Sequence, residues 1–309
     1  MMPRLRDAIG RGATIIGDGG MGTELQRAGL EAGGCGDEWN LSHPAAVQAI
    51  HRRYVDAGSQ VILTNTFGTN RFVLSRYGLE ERVADIARAA ATNARTAAGD
   101  QAWVLGDIGP CGGFLEPLGE IDAAALAATW RDAMAAMLDA GVDGIILETM
   151  TAPEEIVLGL GVARALGAPV IVASMAYDPV RGGGYKTMMG VAPGAAARVC
   201  LDAGAHVIGA NCGRMEPEEF AAVATALRAE TDVPLMLQPN AGQPRLEGDA
   251  IVYPRDPASL APALVALSAH AAIVGGCCGT TPAHIAAFRM LARSSDTHVR
   301  VGGDRGFSG

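Results

Sequence analysis

Short apolar runs recur along the chain and alternate with longer segments of helical periodicity. Each run is rich in valine, isoleucine and leucine, which is typical of strands buried on both faces of a parallel sheet. We therefore predict eight strands, at residues 14–17, 61–64, 103–106, 144–147, 170–173, 207–210, 235–237 and 272–275. Apolar residues at steps of three and four predict helices between these strands, most clearly over 82–98 and 124–140.

One junction is repeated along the chain. The tripeptide Asp-Ala-Gly occurs at 56–58, 139–141 and 202–204, each time between a helical pattern and an apolar run. Because glycine adopts the left-handed conformation readily, it is favoured just past the end of a helix. Eight strand–helix units in 309 residues predict a single-domain (β/α)8 TIM barrel. An open doubly wound sheet is the alternative, and the lack of a Gly-x-Gly-x-x-Gly motif after the first strand favours the barrel.

The barrel is expected to occupy residues 1–293. Residues 294–309 are polar and rich in glycine, which predicts a disordered tail. Residues 177–193 contain three consecutive glycines and predict a flexible loop after the fifth strand.

Composition limits the possible partners. The formal net charge is -9 and lysine and arginine are not clustered, which argues against a nucleic-acid-binding surface. The N-terminal segment lacks the apolar core of a signal peptide and no long apolar span is present, so we expect a cytoplasmic protein without membrane association. In that compartment the six cysteines are expected to be reduced thiols or metal ligands.

Three cysteines follow predicted strands. Cys212 lies at the end of the sixth strand, and the adjacent Cys277 and Cys278 follow the eighth. Because the carboxyl ends of barrel strands meet at one face, these thiols are expected to converge there. Three thiolates suit Zn²⁺ and leave a fourth position open, as in a catalytic site. The alternative is that they are small buried apolar residues, since free cysteine is commonly buried.

Polar residues follow other strands at the same face. Glu148 ends an apolar strand, where a carboxylate is costly to bury unless it meets a cation. That cation is either a substrate ammonium group or a neighbouring arginine, and Asp18 has the same two interpretations. Gly19 and Gly20 would let backbone N–H groups approach a carboxylate. Thr66 and Asn211 are expected either to bind substrate or to fix loops.

Seven short motifs are spread over nearly the whole chain: DGGMGTE at 18–24, TNTFG at 64–68, GDIGP at 106–110, GVDGIILET at 141–149, GANC at 209–212, PNAG at 239–242 and GGCCGTTP at 275–282. Together they resemble the homocysteine S-methyltransferase family. This family includes betaine–homocysteine methyltransferase, S-methylmethionine-dependent enzymes and the homocysteine-binding module of cobalamin-dependent methionine synthase.

The resemblance implies a TIM barrel that binds Zn²⁺ through Cys212, Cys277 and Cys278, with the homocysteine sulfur in the open position. Asp18, Gly19 and Glu148 match positions that hold the amino-acid end of homocysteine. The implied activity is methyl transfer from a small onium donor, with betaine expected first, to the zinc-bound homocysteine thiolate, which yields methionine.

The donor is less closely specified. Trp39 matches a tryptophan of the betaine-using and S-methylmethionine-using members, and an aromatic face attracts onium groups. Gly68 replaces the tyrosine that follows the second strand in animal betaine enzymes. The alternatives are therefore an S-methylmethionine-dependent enzyme and a homocysteine-activating module that accepts the methyl group from a separate corrinoid protein. A non-catalytic zinc- or thiol-binding protein is a third possibility, and the oligomeric state, including a homo-oligomer, stays open.

Overall fold

A parallel eight-stranded sheet forms the centre of the molecule, which we describe from a computed structural model at residues 2–9, 11–12, 14–248 and 250–301. Every predicted strand is present. The strands are β1 Ile15–Ile16, β2 Val61–Leu63, β3 Trp103–Ile108, β4 Gly144–Met150, β5 Ile171–Met175, β6 Val207–Asn211, β7 Leu235–Gln238 and β8 Ile273–Val274.

The sheet curls into a nearly closed barrel. Each strand pairs with the next one along the chain from β2 to β8, and β8 pairs with β1. Hydrogen bonds also cross the remaining seam between β1 and β2: among them, the Gln60 N–H donates to Ile16 O at 2.7 Å, and the Leu63 N–H donates to Asp18 Oδ2 at 2.8 Å. This ring confirms the predicted (β/α)8 barrel, because in an open sheet the first and last strands would not pair.

Eight helices surround the strands. They are α1 Pro44–Ala57, α2 Val83–Ala98, α3 Ala123–Asp139, α4 Pro153–Ala165, α5 Pro193–Asp202, α6 Phe220–Arg228, α7 Pro257–Leu267 and α8 Pro282–Val301. Five of them begin at proline, whose fixed φ and missing N–H suit the first helical position. The repeated Asp-Ala-Gly junctions end α1, α3 and α5 as predicted, with Gly58, Gly141 and Gly204 at φ 118°, 87° and 95°.

Short helices, 3-10 turns and hairpins lie in the loops between these strands and helices. They are the helices Leu5–Ile9, Met21–Arg27, Trp39–Ser42 and Arg71–Leu74, the 3-10 turns Ser75–Tyr77, Glu80–Arg82 and Pro217–Glu219, and two hairpins, Asp178–Pro179 with Tyr185–Lys186 and Arg245–Glu247 with Ala250–Val252. The first hairpin lies within the predicted loop at 177–193. Helix α8 runs past residue 293, the expected end of the barrel, and the rest of the predicted tail, 302–309, lies outside the described residues. Within the described part, no helix is both long and apolar enough to cross a bilayer.

The inside of the barrel changes from apolar to polar toward the carboxyl ends of its strands. An apolar cluster that includes Leu105, Ile146, Val172 and Met236 fills the lower part, and helix Leu5–Ile9 packs against it from below. Side chains alternate along a strand, so the residues two positions further on face the same interior. Those residues are polar in four strands: Asp107, Glu148, Ser174 and Gln238. These four side chains therefore form a polar layer inside the barrel, next to the carboxyl ends of its strands.

His51 on α1 is a buried titratable group away from that mouth. Its side chain is 0% exposed, and neither ring nitrogen has a hydrogen-bond partner among the described residues. Burial lowers the pKa of His51 from 6.5 to about 4. In the folded protein His51 therefore stays neutral down to about pH 4. In the unfolded chain the same side chain binds a proton once the pH falls below its ordinary pKa of about 6.5.

We expect acid to destabilise the fold through His51. Its contribution to the free energy of unfolding should fall by about 2 kcal/mol between about pH 7.5 and about pH 5. His51→Leu removes the ionisable group. Between these two pH values its free energy of unfolding, measured by urea denaturation, should therefore fall by about 2 kcal/mol less than that of wild type. His270→Gln at an exposed histidine is the control. An equal pH dependence of wild type and His51→Leu would contradict the prediction.

Candidate active site

A cavity of about 350 Å³ opens at the carboxyl ends of the barrel strands. It gathers most of the residues that the sequence singled out. Its lining includes Asp18, Gly19, Gly20, Thr66, Glu148, Cys212, Cys277 and Cys278. Asn211 does not line it but lies directly behind Glu148, to which it is hydrogen bonded.

The three thiols form one cluster. The Sγ atoms of Cys212, Cys277 and Cys278 lie within 4.8 Å of one another, and the Cys277–Cys278 pair is 3.9 Å apart. A tetrahedral zinc ion with Zn–S bonds of about 2.3 Å holds its sulfur ligands about 3.8 Å apart. The spacing and the softness of this donor set therefore fit zinc.

Local backbone geometry places these thiols. At the end of β6, Cys212 and Gly213 are successive left-handed residues, with φ of 56° and 70°. A non-glycine residue in that conformation costs on the order of 1–3 kcal/mol, and such strain concentrates at functional sites. Beyond β8, the Cys277 N–H donates to Pro239 O at 2.8 Å and the Cys278 N–H donates to Asn240 Oδ1 at 3.1 Å. The loop after β7 thus fixes the cysteine pair.

The thiols are electrostatically linked. Hydrogen bonds donated by Cys277 and Cys278 lower the pKa of Cys212 to about 3. The hydrogen bond to Cys212 in turn raises the pKa of Cys278 to about 12, because its proton is held between the two sulfurs. The three thiols therefore titrate as one linked group, and a cation at the centre of the cluster would favour their thiolate forms.

The charged side chains of the cavity wall, apart from the thiols, are all carboxylates. Asp18, Asp37, Asp107 and Glu148 all line it, and none of the lining residues is lysine, arginine or histidine. Burial raises the pKa of Asp18 to about 7, and burial together with the Cys212 charge raises the pKa of Glu148 to about 8. Burial, followed by the neighbouring Glu148 charge, also raises the pKa of Asp107 well above its usual range. The cavity is thus arranged for a positively charged ligand.

Asn211 orients Glu148. Its Nδ2 donates to Glu148 Oε2 at 2.9 Å and to Thr149 Oγ1 at 2.7 Å, while its Oδ1 accepts from Thr149 N and Ser174 Oγ. The amide is fully used by these contacts, so Asn211 acts by positioning the carboxylate. Thr66 is similarly engaged, since its hydroxyl donates to Asp107 O at 2.7 Å.

Asp107 and Gln238 were not singled out as site residues by sequence, yet both line the cavity. Asp107 lies within β3, and its carboxyl group adjoins that of Glu148, whose charge adds to burial in raising the pKa of Asp107. Side-chain alternation along the strand identifies it, because Asp107 follows the inward-facing Leu105 by two residues, as Glu148 follows Ile146. Gln238 follows Met236 in the same way.

The sequence pointed to Trp39 as the aromatic residue facing an onium donor, but a different aromatic side chain lines the cavity. Trp39 is not among the lining residues, and its ring stacks on His43 with centroids 4.4 Å apart. Phe67, in the loop after β2, lines the cavity and keeps 46% of its surface exposed. Gly68 follows it, and a Cβ there would lie 3.0 Å from Asp37 Oδ2, which leaves little room for a larger residue.

Comparison with known proteins identifies the family of the chain. Residues 15–292 match the family model described as homocysteine S-methyltransferase. The chain belongs to this family.

Two kinds of relative within the homocysteine S-methyltransferase family are similar to the chain. Methionine synthase of Mycobacterium tuberculosis is 35% identical over 289 residues, which cover 88% of this chain and 24% of the relative. Betaine–homocysteine S-methyltransferase 1 of Xenopus tropicalis is 28% identical over 310 residues, which cover 91% of this chain and 73% of the relative. The chain thus spans about a quarter of the methionine synthases that it matches.

The fold is shared with a solved structure. The metallated homocysteine methyltransferase MmuM from Escherichia coli superposes with a TM-score of 0.76 at 24% identity, covering 94% of this chain and 100% of that one. This likeness supports the barrel architecture.

Proposed function

We propose that the chain is a zinc-dependent homocysteine S-methyltransferase that makes methionine from homocysteine and a small onium donor, with betaine as the first candidate. The observation that carries the proposal is the cavity itself: a three-thiol cluster at zinc spacing shares it with four carboxylates. The first feature suits a soft metal and a substrate thiol, and the second suits an ammonium group and a cationic donor.

Cys212, Cys277 and Cys278 would hold the zinc. Bound there, zinc would supply a Lewis acid that keeps a coordinated thiol ionised at neutral pH. The protein's own contribution is orientation, because hydrogen bonds to Pro239 O and Asn240 Oδ1 fix the backbone of the cysteine pair.

The amino-acid end of homocysteine would lie among the carboxylates. Glu148, held by Asn211, and Asp18, held by the Leu63 N–H, are the oriented acceptors for its ammonium group. Gly19 and Gly20 allow close approach to the backbone in the same cavity, since a Cβ at Gly20 would lie 2.7 Å from Thr23 Oγ1 and 2.9 Å from Cys277 O. A larger residue at Gly20 would disturb the cysteine loop.

The charge of the wall supports an onium donor. A cavity with four carboxylates and no cationic side chain in its lining favours a cation over an anionic methyl carrier. Phe67 offers an exposed ring face in this cavity, and such faces attract quaternary ammonium and sulfonium groups. A donor-binding role for Trp39 stays a prediction that the same experiment tests.

We expect Phe67→Ala to raise KM for betaine, or for whichever onium donor proves active, by about 2- to 30-fold, because the loss of a cation–π contact costs roughly 0.5–2 kcal/mol. Phe67→Leu should not recover the loss, because it restores apolar volume but no ring. Trp39→Ala should change the donor KM less than Phe67→Ala. Steady-state kinetics at saturating homocysteine measure both, and a larger effect from Trp39→Ala would assign the donor to Trp39.

A second candidate is a homocysteine-activating module that receives its methyl group from a separate corrinoid protein. The similarity to methionine synthase, at 35% identity and about a quarter of its length, favours this reading. An S-methylmethionine-dependent enzyme is a third candidate, because its sulfonium donor also suits the acidic wall.

A donor screen distinguishes these functions. The purified chain, loaded with zinc, is incubated with homocysteine and betaine, dimethylsulfoniopropionate, S-methylmethionine or methylcobalamin, and methionine is measured. We expect turnover with betaine. Turnover with S-methylmethionine alone or with methylcobalamin alone would select the corresponding alternative, and no methionine from any donor would contradict the proposed activity.

A further inference from the structure

Two buried acceptor atoms in the cavity have no hydrogen-bond donor among the described residues. They are Asp107 Oδ1 and Gln238 Oε1, on side chains that are 3% and 2% exposed. A buried acceptor without a donor is costly, and nearly all buried polar groups in proteins are paired. Both residues line the same cavity, so a ligand that fills it is the natural source of the missing donors.

The surroundings determine what kind of donor is needed. The Asp107 carboxyl group adjoins that of Glu148, so both groups can be ionised together only at a cost, which a cation between them would offset. The hydroxyl of Thr66 is directed at Asp107 O and cannot serve the side chain as well. The cavity lining also contains no cationic side chain. A ligand with several N–H donors and a positive charge would satisfy the acceptors and offset the cost of ionising both carboxyl groups, and an ammonium group has three N–H donors.

We infer that Asp107 and Gln238 are specificity residues that receive the ammonium group of the amino-acid substrate together with Glu148, and so make the site selective for an α-amino thiol over a plain thiol acid. The inference rests on the proposed function, which places homocysteine in this cavity. It adds acceptors beyond Asp18 and Glu148. All three inferred acceptors occupy equivalent inward positions, each two residues beyond an apolar residue of the barrel interior: Leu105, Ile146 and Met236.

A pair of ligands tests the inference. Homocysteine and 4-sulfanylbutanoate share the thiol, the chain length and the carboxylate, and only homocysteine has the ammonium group. Isothermal titration of both into the zinc-loaded protein gives their affinities without turnover. We expect Asp107→Asn to weaken homocysteine by about 10- to 100-fold, because one charge-assisted contact is lost, and to change 4-sulfanylbutanoate by less than about 2-fold.

Two further variants make the test specific. Asp100→Asn removes one negative charge from an exposed position outside the cavity and should leave both affinities unchanged. Gln238→Met replaces the amide with an apolar chain of similar length, and it should weaken homocysteine selectively by about 3- to 10-fold. If Asp107→Asn does not fold, as judged by thermal melting, Gln238→Met decides the inference alone.

The failures of the inference and of the proposed function are distinguishable. Equal weakening of both ligands in the variants, or no weakening of either, would overturn the roles of Asp107 and Gln238 while leaving wild-type homocysteine binding intact. If wild type itself binds 4-sulfanylbutanoate as tightly as homocysteine, or binds neither, the proposed substrate is wrong whatever the variants do.

Discussion

Cys277→Ser is expected to reduce bound zinc from one ion per chain to nearly none. Serine cannot replace a thiolate, so the cluster would keep only Cys212 and Cys278, and the 3.9 Å sulfur pair that matches a zinc tetrahedron would be lost. Loss of an outer-shell partner alone typically costs about 10- to 100-fold in metal affinity, and loss of a ligand should exceed that. Metal analysis of the protein after dialysis, with chelator competition, measures the change.

Cys200→Ala is the matched control for this experiment. Cys200 is a buried thiol on α5, and it is not part of the three-cysteine cluster, so its removal should leave the zinc content at wild-type level. Unchanged zinc in Cys277→Ser would place the metal elsewhere and remove the central support for the proposed function.

Glu148→Ala is expected to weaken homocysteine binding by about 2–5 kcal/mol, or roughly 30- to several thousand-fold, and to leave zinc in place. The variant removes a carboxylate that, in the proposed function, accepts the ammonium group of homocysteine. It also deprives Asn211 Nδ2 of its 2.9 Å partner and Asp107 of its carboxyl neighbour. Titration of homocysteine into zinc-loaded protein, with metal analysis of the same samples, measures both effects.

Two further variants separate the effect of the Glu148 charge from the effect of its packing and from that of a carboxylate outside the cavity. Glu148→Gln keeps a side chain that Asn211 can hold but removes the charge, so its loss of affinity should be intermediate. Glu154→Ala removes an exposed carboxylate near the same face but outside the cavity, and it should bind homocysteine normally. Wild-type affinity in Glu148→Ala would take Glu148 out of the substrate site.

The fold could be predicted from local patterns because each pattern reflects a local physical requirement. A strand buried on both faces must be apolar, and a chain leaving a helix for a strand needs a residue that tolerates positive φ, as Gly58 and Gly204 do. Repetition of these two signals along the chain was enough to predict the barrel. The extension of α8 beyond residue 293 could not be predicted, because the sequence from residue 294 onward is mostly polar and carries no apolar pattern of helical period.

The candidate metal ligands were predictable for a related reason. In a parallel barrel all strands end at one face, so Cys212 and the Cys277–Cys278 pair had to approach one another once the barrel was accepted. The left-handed turn at Cys212, which brings its thiol to the cluster, was not predictable, since nothing in the residue itself favours φ 56° there.

What the sequence determined by itself was the set of strands, the face at which their polar ends meet and the residue types available there. The tertiary structure alone decided which of those side chains share the cavity. It assigned Asn211 to holding Glu148, brought Asp107 against Glu148, and left Phe67 rather than Trp39 in the lining. The physical reason is that strand period fixes only inside or outside, whereas contact across the barrel depends on register, on the Asp18 contact that bridges the seam, and on loops packed by residues far away in sequence.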